Sequence, residues 1–245
     1  MKPFLLLQSR PEDLASDNEY EGFLTAADLR FEQLERIRVE AMPLPEIDLE
    51  RYSGIIMGGS PYNTSDDEAL KSGIQKRVES DLAKLLQTII EKDFPFFGAC
   101  YGVGTLGRLL GGTISRTYAE AVGPVAILLT SEGRKDDLLA YVPDIFQAIV
   151  GHKEACEVLP PGAVHLASSP TCPVQMFRVK ENLYVTQFHP ELNMEGVRVR
   201  VNVYKNAGYF APEDAEAVIE NARLADLSHA SLVLRNFVKK YTQQS

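Results

Sequence analysis

Short apolar runs alternate along the chain with longer stretches in which apolar residues recur at helical spacing. The runs Phe4 to Gln8, Ile37 to Glu40, Gly54 to Met57 and Phe94 to Gly98 read as buried strands. Between them, Ala69 to Lys92 places Ile74, Val78, Leu82, Leu85, Leu86 and Ile89 on one stripe, with Lys76, Glu79, Lys84 and Glu91 largely elsewhere. This predicts an amphipathic helix packed on a sheet. A second helix is expected to begin right after Cys100 and to stop at Gly111-Gly112, because paired glycines end helices readily.

Further strand-like runs follow at Val122 to Thr130, Ile145 to Val150, Val174 to Val179 and Leu183 to Phe188. Helical patterns close the chain near Pro212 to Ala225 and Ser228 to Tyr241, the latter with Leu232, Leu234, Phe237, Val238 and Tyr241 on its apolar face. The alternation defines an α/β protein. No internal repeat, low-complexity block or long linker interrupts it, so residues 1–245 are expected to form one domain, a size at which a substantial core can be buried.

Composition narrows the function. The 25 Lys and Arg stand against 34 Asp and Glu, a formal charge of -9, with no basic stripe interleaved with aromatics. A nucleic-acid role is disfavoured. The apolar run after Met1 is too short for a signal-peptide core and soon meets Arg10, Glu12 and Asp13, and no run approaches the roughly 20 apolar residues of a membrane-spanning helix. Cys100, Cys156 and Cys172 are an odd count without C-x-x-C spacing, which suggests neither a disulfide framework nor a zinc cage. The expectation is a cytoplasmic protein that binds no membrane and no metal.

Two segments carry chemistry. The buried-strand pattern Phe94 to Gly98 runs directly into Ala99-Cys100-Tyr101-Gly102 and then into a helix, the strand–turn–helix context of a nucleophile elbow. Glycines at i−2 and i+2 let the turn close sharply while Cys100 points out of it, and a helix N-terminus beside the sulfur favours the thiolate. Further on, the strand Leu183 to Phe188 delivers His189-Pro190-Glu191 at its C-terminal end, the edge where α/β sheets gather catalytic groups. Pro190 biases His189 toward extended backbone, so His189 and Glu191 project to the same side. The carboxylate can then fix the imidazole tautomer that faces a thiol. Taken singly, the first segment is equally readable as an inert buried cysteine and the second as a satisfied histidine; in one chain they compose a Cys100–His189–Glu191 triad.

With these residues in place the sequence resembles the class I glutamine amidotransferases, especially the amidotransferase domain of GMP synthetase and its stand-alone relatives. Three elements match in order over roughly residues 4–195: Gly58-Gly59 after Ile55-Ile56-Met57 is similar to the family's oxyanion-hole loop, Gly98 to Gly102 to its elbow, and Gln187 to Glu191 to its His-x-Glu segment. The resemblance implies an open, mostly parallel, flavodoxin-like sheet flanked by helices. It implies attack of Cys100 on the γ-amide of glutamine, with the oxyanion held by backbone N–H groups of Gly59 and Tyr101 and no metal or organic cofactor, and either ammonia passed to a separate synthetase subunit or independent action as a hydrolase or γ-glutamyl transferase. Gly151-His152-Lys153-Glu154 is similar to a further family segment whose substrate contacts are made largely by backbone, so His152 is assigned no catalytic role.

The pattern departs at two positions, the minor one being Ser60-Pro61 after Gly58-Gly59 where many relatives have proline directly after the glycines. Four residues beyond the cysteine the family usually carries a glutamine that helps hold the substrate's α-amino-acid end, and here Gly104 stands there. A γ-glutamyl peptide is therefore an alternative substrate to free glutamine, and a catalytically silent binding module with the same fold is a further alternative. The chain has no Ser-Gly-Gly-x-Asp-Ser phosphate loop, so it is not expected to make GMP alone. The part beyond residue 196 is expected to be a helical extension outside the motifs.

Overall fold

The structure, a computed structural model, describes residues 2–242. In chain order its regular elements are β1 (Phe4–Gln8), α1 (Asp13–Ala27), β2 (Leu34–Arg38), β3 (Gly54–Met57), α2 (Gly73–Lys92), β4 (Phe96–Ala99), α3 (Tyr101–Leu109) and β5 (Thr113–Ser115). There follow β6 (Glu120–Leu129), β7 (Ile145–His152), β8 (Ala155–Val158), β9 (Val164–Ser168), β10 (Met176–Val179), β11 (Leu183–Thr186), α4 (Met194–Val203), α5 (Ala215–Arg223) and α6 (Ala230–Thr242). Nine strands form one sheet in the order β2-β1-β3-β4-β11-β10-β9-β6-β7, and β5 pairs with β8 apart from it. From β2 to β11 every pairing is parallel. From β11 to β7 the sheet continues antiparallel.

The parallel half is apolar on both faces because helices cover both. Along β1, Phe4 and Leu6 face one core while Leu5 and Leu7 face the other, the period-2 alternation of a strand. Tyr20 and Phe23 of α1 and Leu234, Phe237 and Tyr241 of α6 pack on the first face. Val78, Leu82, Leu86 and Ile89 of α2 pack on the second. Phe237 sits 5.5 Å from Phe97 and 4.8 Å from Tyr241, ring centre to ring centre. Each such fully buried side chain contributes roughly 1.5–3 kcal/mol, which is what holds the C-terminal helix to the sheet.

Most expected strands are present within a few residues, and the differences have identifiable causes. The α2 helix begins at Gly73, where Ser72 Oγ caps the Gln75 amide at 3.1 Å, rather than at Ala69. Ile74 falls in the first turn and is 51% exposed, while Gln75 takes the inner position, bonding the Asn63 carbonyl and Glu79. The strand expected at 37–40 lies at Leu34–Arg38. Two helices had no counterpart in the apolar pattern, α1 and α4. Their buried faces carry Ser16 and Glu19 in one and Arg200 in the other, which interrupts the periodicity by which a helix is found. Among the described residues no helix is long and apolar enough to cross a membrane.

Candidate active site

The strand register brings three chain segments to one edge. Met57 of β3 lies beside Gly98 of β4, and Ala99 beside Thr186 of β11. Gly58, Cys100 and Gln187 therefore leave the sheet together at its C-terminal edge. The Cys100 amide donates to the Thr186 carbonyl at 2.7 Å, which pins the turn to the neighbouring strand. Cys100 itself holds φ +51° and ψ −80° at the start of α3, a conformation costing on the order of 1–3 kcal/mol in a residue with a Cβ. The turn closes so tightly that a Cβ on Gly98 would lie 2.8 Å from Gly102 Cα, so the glycine at i−2 is required by space. The other two cysteines are buried, and burial pushes the Cys156 thiol up to about 11 and the Cys172 thiol up to about 12.

His189 is fixed by backbone and side chain alike. Its amide donates to the Ile149 carbonyl at 2.9 Å, tying the end of β11 to β7, and its Nδ1 lies 2.8 Å from Glu191 Oε1. Burial opposes the charged ring, but the Glu191 carboxylate and the neighbouring Cys100 sulfur outweigh it and hold the imidazolium up to about 9. Burial works against ionised Glu191 too, and His189 and Arg200 hold its carboxyl below the usual carboxylate range. The expected three residues thus meet in space. Gln187 joins them, its Nε2 3.8 Å from Cys100 Sγ.

Because the folded pKa of His189 lies above its ordinary 6.5, the ring binds its proton more tightly folded than unfolded. Its contribution to stability is then fully present below pH 6.5 and fades as pH rises to about 9. The full contribution is on the order of 3 kcal/mol. We expect an NMR titration of the His189 ring to show a midpoint near 9. Glu191→Gln is expected to lower that midpoint, and a wild-type midpoint at or below 6.5 would contradict the geometry.

Behind Cys100, His189 and Glu191 lies a buried chain of charge that the sequence does not reveal. Glu19 of α1 is wholly buried and receives Arg10 Nε at 2.8 Å, Arg200 Nη2 at 3.2 Å and Gln8 Nε2 at 3.1 Å. Arg200 Nη2 lies 3.8 Å from Glu191 Oε1, so the chain runs Arg10, Glu19, Arg200, Glu191, His189. The expected oxyanion loop lies against it: a Cβ on Gly58 would meet Glu19 at 2.5 Å, and one on Gly59 would meet His189 Cε1 at 2.9 Å. These two glycines let a carboxylate and an imidazole approach the backbone closely. The Gly59 N–H donates to Glu19 Oε1 at 3.2 Å, so the expected pair of oxyanion donors is not preformed. The Tyr101 N–H, at the first helical position of α3, has no helical acceptor. Only the chemistry of buried charge could have pointed to Glu19 and Arg200, and a sequence does not display burial.

Gly104 lies in the first half of α3 with its Cβ position already taken, by Glu154 and by Thr64 Oγ1 at 2.9 Å. Glu154 accepts from the Thr64 amide at 2.9 Å and the Ser65 amide at 2.7 Å, clamping that loop over the helix. Restoring the family's residue with Gly104→Gln is therefore expected to displace Glu154 and to destabilise the protein by about 1–3 kcal/mol, the range for overpacking. A denaturant midpoint equal to the wild type would show that the space is open.

His152 is buried, with Nδ1 2.9 Å from the Glu154 carbonyl and Nε2 2.7 Å from Glu120 Oε2. Glu120, His152 and Cys172 lie close enough to consider an ion. Both ring nitrogens are already engaged, and Glu120 also accepts from Gln175 at 2.6 Å and from Thr171. The cluster holds the 169–175 loop on β6 and β7.

A sharp cysteine-bearing turn after β4, a histidine after the neighbouring parallel strand and helices on both faces define an α/β protein with a cysteine at the sheet's C-terminal edge. The sequence profile of glutamine amidotransferase class-I matches residues 20–200, and the chain belongs to that family. Among curated relatives, a GMP synthase (glutamine-hydrolyzing) of Borreliella burgdorferi is 31% identical over 150 residues, covering 61% of this chain and 26% of that protein. Gamma-glutamyl peptidase 3 of Arabidopsis thaliana is 31% identical over 171 residues, 67% of this chain and 65% of that one. The chain thus matches about a quarter of the length of the GMP synthase. A solved glutamine amidotransferase from Thermotoga maritima superposes with a TM-score of 0.79 over 99% of both chains at 18% identity, a likeness of fold.

Proposed function

We propose that this chain is a cysteine amidohydrolase that cleaves the γ-amide of glutamine through a thioester on Cys100. The observation that carries the reading is that a strained, turn-borne Cys100 lines one small cavity with a His189 that is itself bonded to Glu191. In this mechanism the Cys100 thiolate attacks the amide carbonyl carbon. The C–N bond breaks as the imidazolium of His189 gives its proton to the departing ammonia. His189 then takes a proton from water, whose oxygen attacks the thioester, releasing glutamate and the sulfur. Tyr101 N–H stabilises the oxyanion, and one such donor contributes about 3 kcal/mol in the transition state. Gly59 adds a second when its amide leaves Glu19. No metal or organic cofactor enters these steps.

By analogy with the GMP synthase relatives, a separate synthetase subunit would receive the ammonia. Three unpaired thiols suit a reducing cytoplasm. The filled space at Gly104 favours a second reading, a γ-glutamyl peptidase with the same triad, since the side chain usual at that position is replaced by Glu154 and Thr64. Purified protein offered glutamine and γ-glutamyl dipeptides, with ammonia and glutamate followed by mass spectrometry, tests both. Glutamine turnover is expected. Faster turnover of the dipeptides selects the second reading, and no turnover of either, with or without a synthetase subunit, leaves only a silent binding module.

A further inference from the structure

The cavity beside Cys100 and His189 measures only about 40 Å³. That is room for about three waters, whereas a pocket enclosing a small molecule usually measures ~300 Å³ or more. What fills the remaining space comes from beyond the region matched by the family profile, which ends at residue 200. Tyr204 and Tyr209, following α4, line the cavity with Cys100, His189 and Ile149.

The segment that carries Tyr209 is rooted at one end and latched at the other. Tyr204 is buried, accepts Arg10 Nη1 at 3.1 Å and donates to Glu12 at 3.0 Å. Beyond it Lys205, Asn206 and Gly208 are exposed, and Gly208 turns the chain at φ +79°, where a residue with a Cβ is disfavoured. The latch is Lys153, which follows β7. Its ammonium donates to the Ala207 carbonyl and lies 4.6 Å from the centre of the Tyr209 ring. Burial and the neighbouring Cys100 push the Tyr209 hydroxyl up to about 12, so the ring faces the nucleophile as a neutral phenol.

We propose that Tyr209 is a specificity-determining gate: the segment 205–210 lifts from Lys153 to admit an acyl substrate, and Tyr209 limits the bulk tolerated beside the carbonyl that Cys100 attacks. The proposal rests on Cys100 as the nucleophile. It assigns Lys153, exposed loop residues and one aromatic ring to substrate selection rather than to bond making.

The test uses the full chain and two thiol reagents of unequal size, iodoacetamide and fluorescein maleimide, with the rate of Cys100 modification followed by mass spectrometry. Wild type, Tyr209→Phe, Tyr209→Ala and Lys153→Ala are compared, each checked by thermal melting. The ratio of bulky to small reagent rates is expected to rise about tenfold in Lys153→Ala, the ~1.4 kcal/mol within reach of one cation–π contact and one charged hydrogen bond. It should rise at least as much in Tyr209→Ala and stay at the wild-type value in Tyr209→Phe. Iodoacetamide labelling with the same ratio in all four proteins overturns the gate alone. Absence of iodoacetamide labelling in all four overturns the nucleophile, and the gate with it.

Discussion

Replacing Cys100 by serine is expected to abolish turnover of any acyl substrate, by about 10⁴-fold or more in kcat, the scale on which single members of such triads act. Serine preserves shape and the tight turn, but its hydroxyl is a far weaker nucleophile at neutral pH without a base matched to it. The folded protein should barely change, because the Cys100 amide, which anchors the turn to Thr186, is retained. Cys100→Gly should be equally inactive yet as stable as the wild type or more so by up to about 1 kcal/mol. Glycine adopts φ +51° without the strain that a Cβ imposes, part of which its greater unfolded-state entropy takes back. Kinetics and chemical denaturation of the two variants check this pair of opposite signs. A serine variant retaining a tenth of the activity would remove Cys100 from the chemistry.

Glu19→Ala is expected to destabilise the protein as strongly as the loss of a fully buried aromatic side chain. It leaves Arg10 and Arg200 buried without their shared carboxylate, and breaking a buried pair from one side costs about 3–5 kcal/mol. In a chain of this size that corresponds to a fall in Tm of roughly 10 °C. Differential scanning calorimetry measures it. The same variant frees the Gly59 N–H and leaves Arg200 with Glu191 alone, so residual activity should show an altered pH dependence beyond what loss of folded protein explains. A melting temperature within a degree or two of the wild type would mean that water replaces the carboxylate.

How much of this was legible in the sequence follows a physical line. Where a long apolar run or stripe marks an element, as along most of α2 and β1, the pattern located it, whereas β8 and β9, which bury only Ala155, Cys156, Leu166 and Ala167, carry runs too short to be read. The grouping of Cys100, His189 and Glu191 was legible because its backbone leaves marks, glycines where the turn must close and a proline after His189, although Pro190 and Glu191 form a turn, with the Leu192 amide on the His189 carbonyl at 3.4 Å, rather than the extended chain expected. α1 and α4 were not legible because each turns a charged residue inward, Glu19 and Arg200, and charge reads as solvent-facing. Those charges find their partners only across the folded sheet. Gly104 was legible as a departure but not in its meaning, since the side chains that occupy its space, Thr64 and Glu154, are distant in sequence.

The ion chain also fixes when the site becomes complete. Glu19 and Arg200 are separated by 181 positions, and Arg10 and Tyr204 by 194. During synthesis the N-terminal strands and α1 emerge long before α4 exists, so Glu19 waits with Arg10, Gln8 and the Gly59 amide to hold it but without Arg200. The contact that orders Glu191 behind His189 is among the last that the growing chain can make. A nascent chain stopped short of Arg200 would carry its cysteine turn and its His189–Glu191 pair while Glu191 still lacked the buried cation behind it, which delays completion of the site until these distant segments have met.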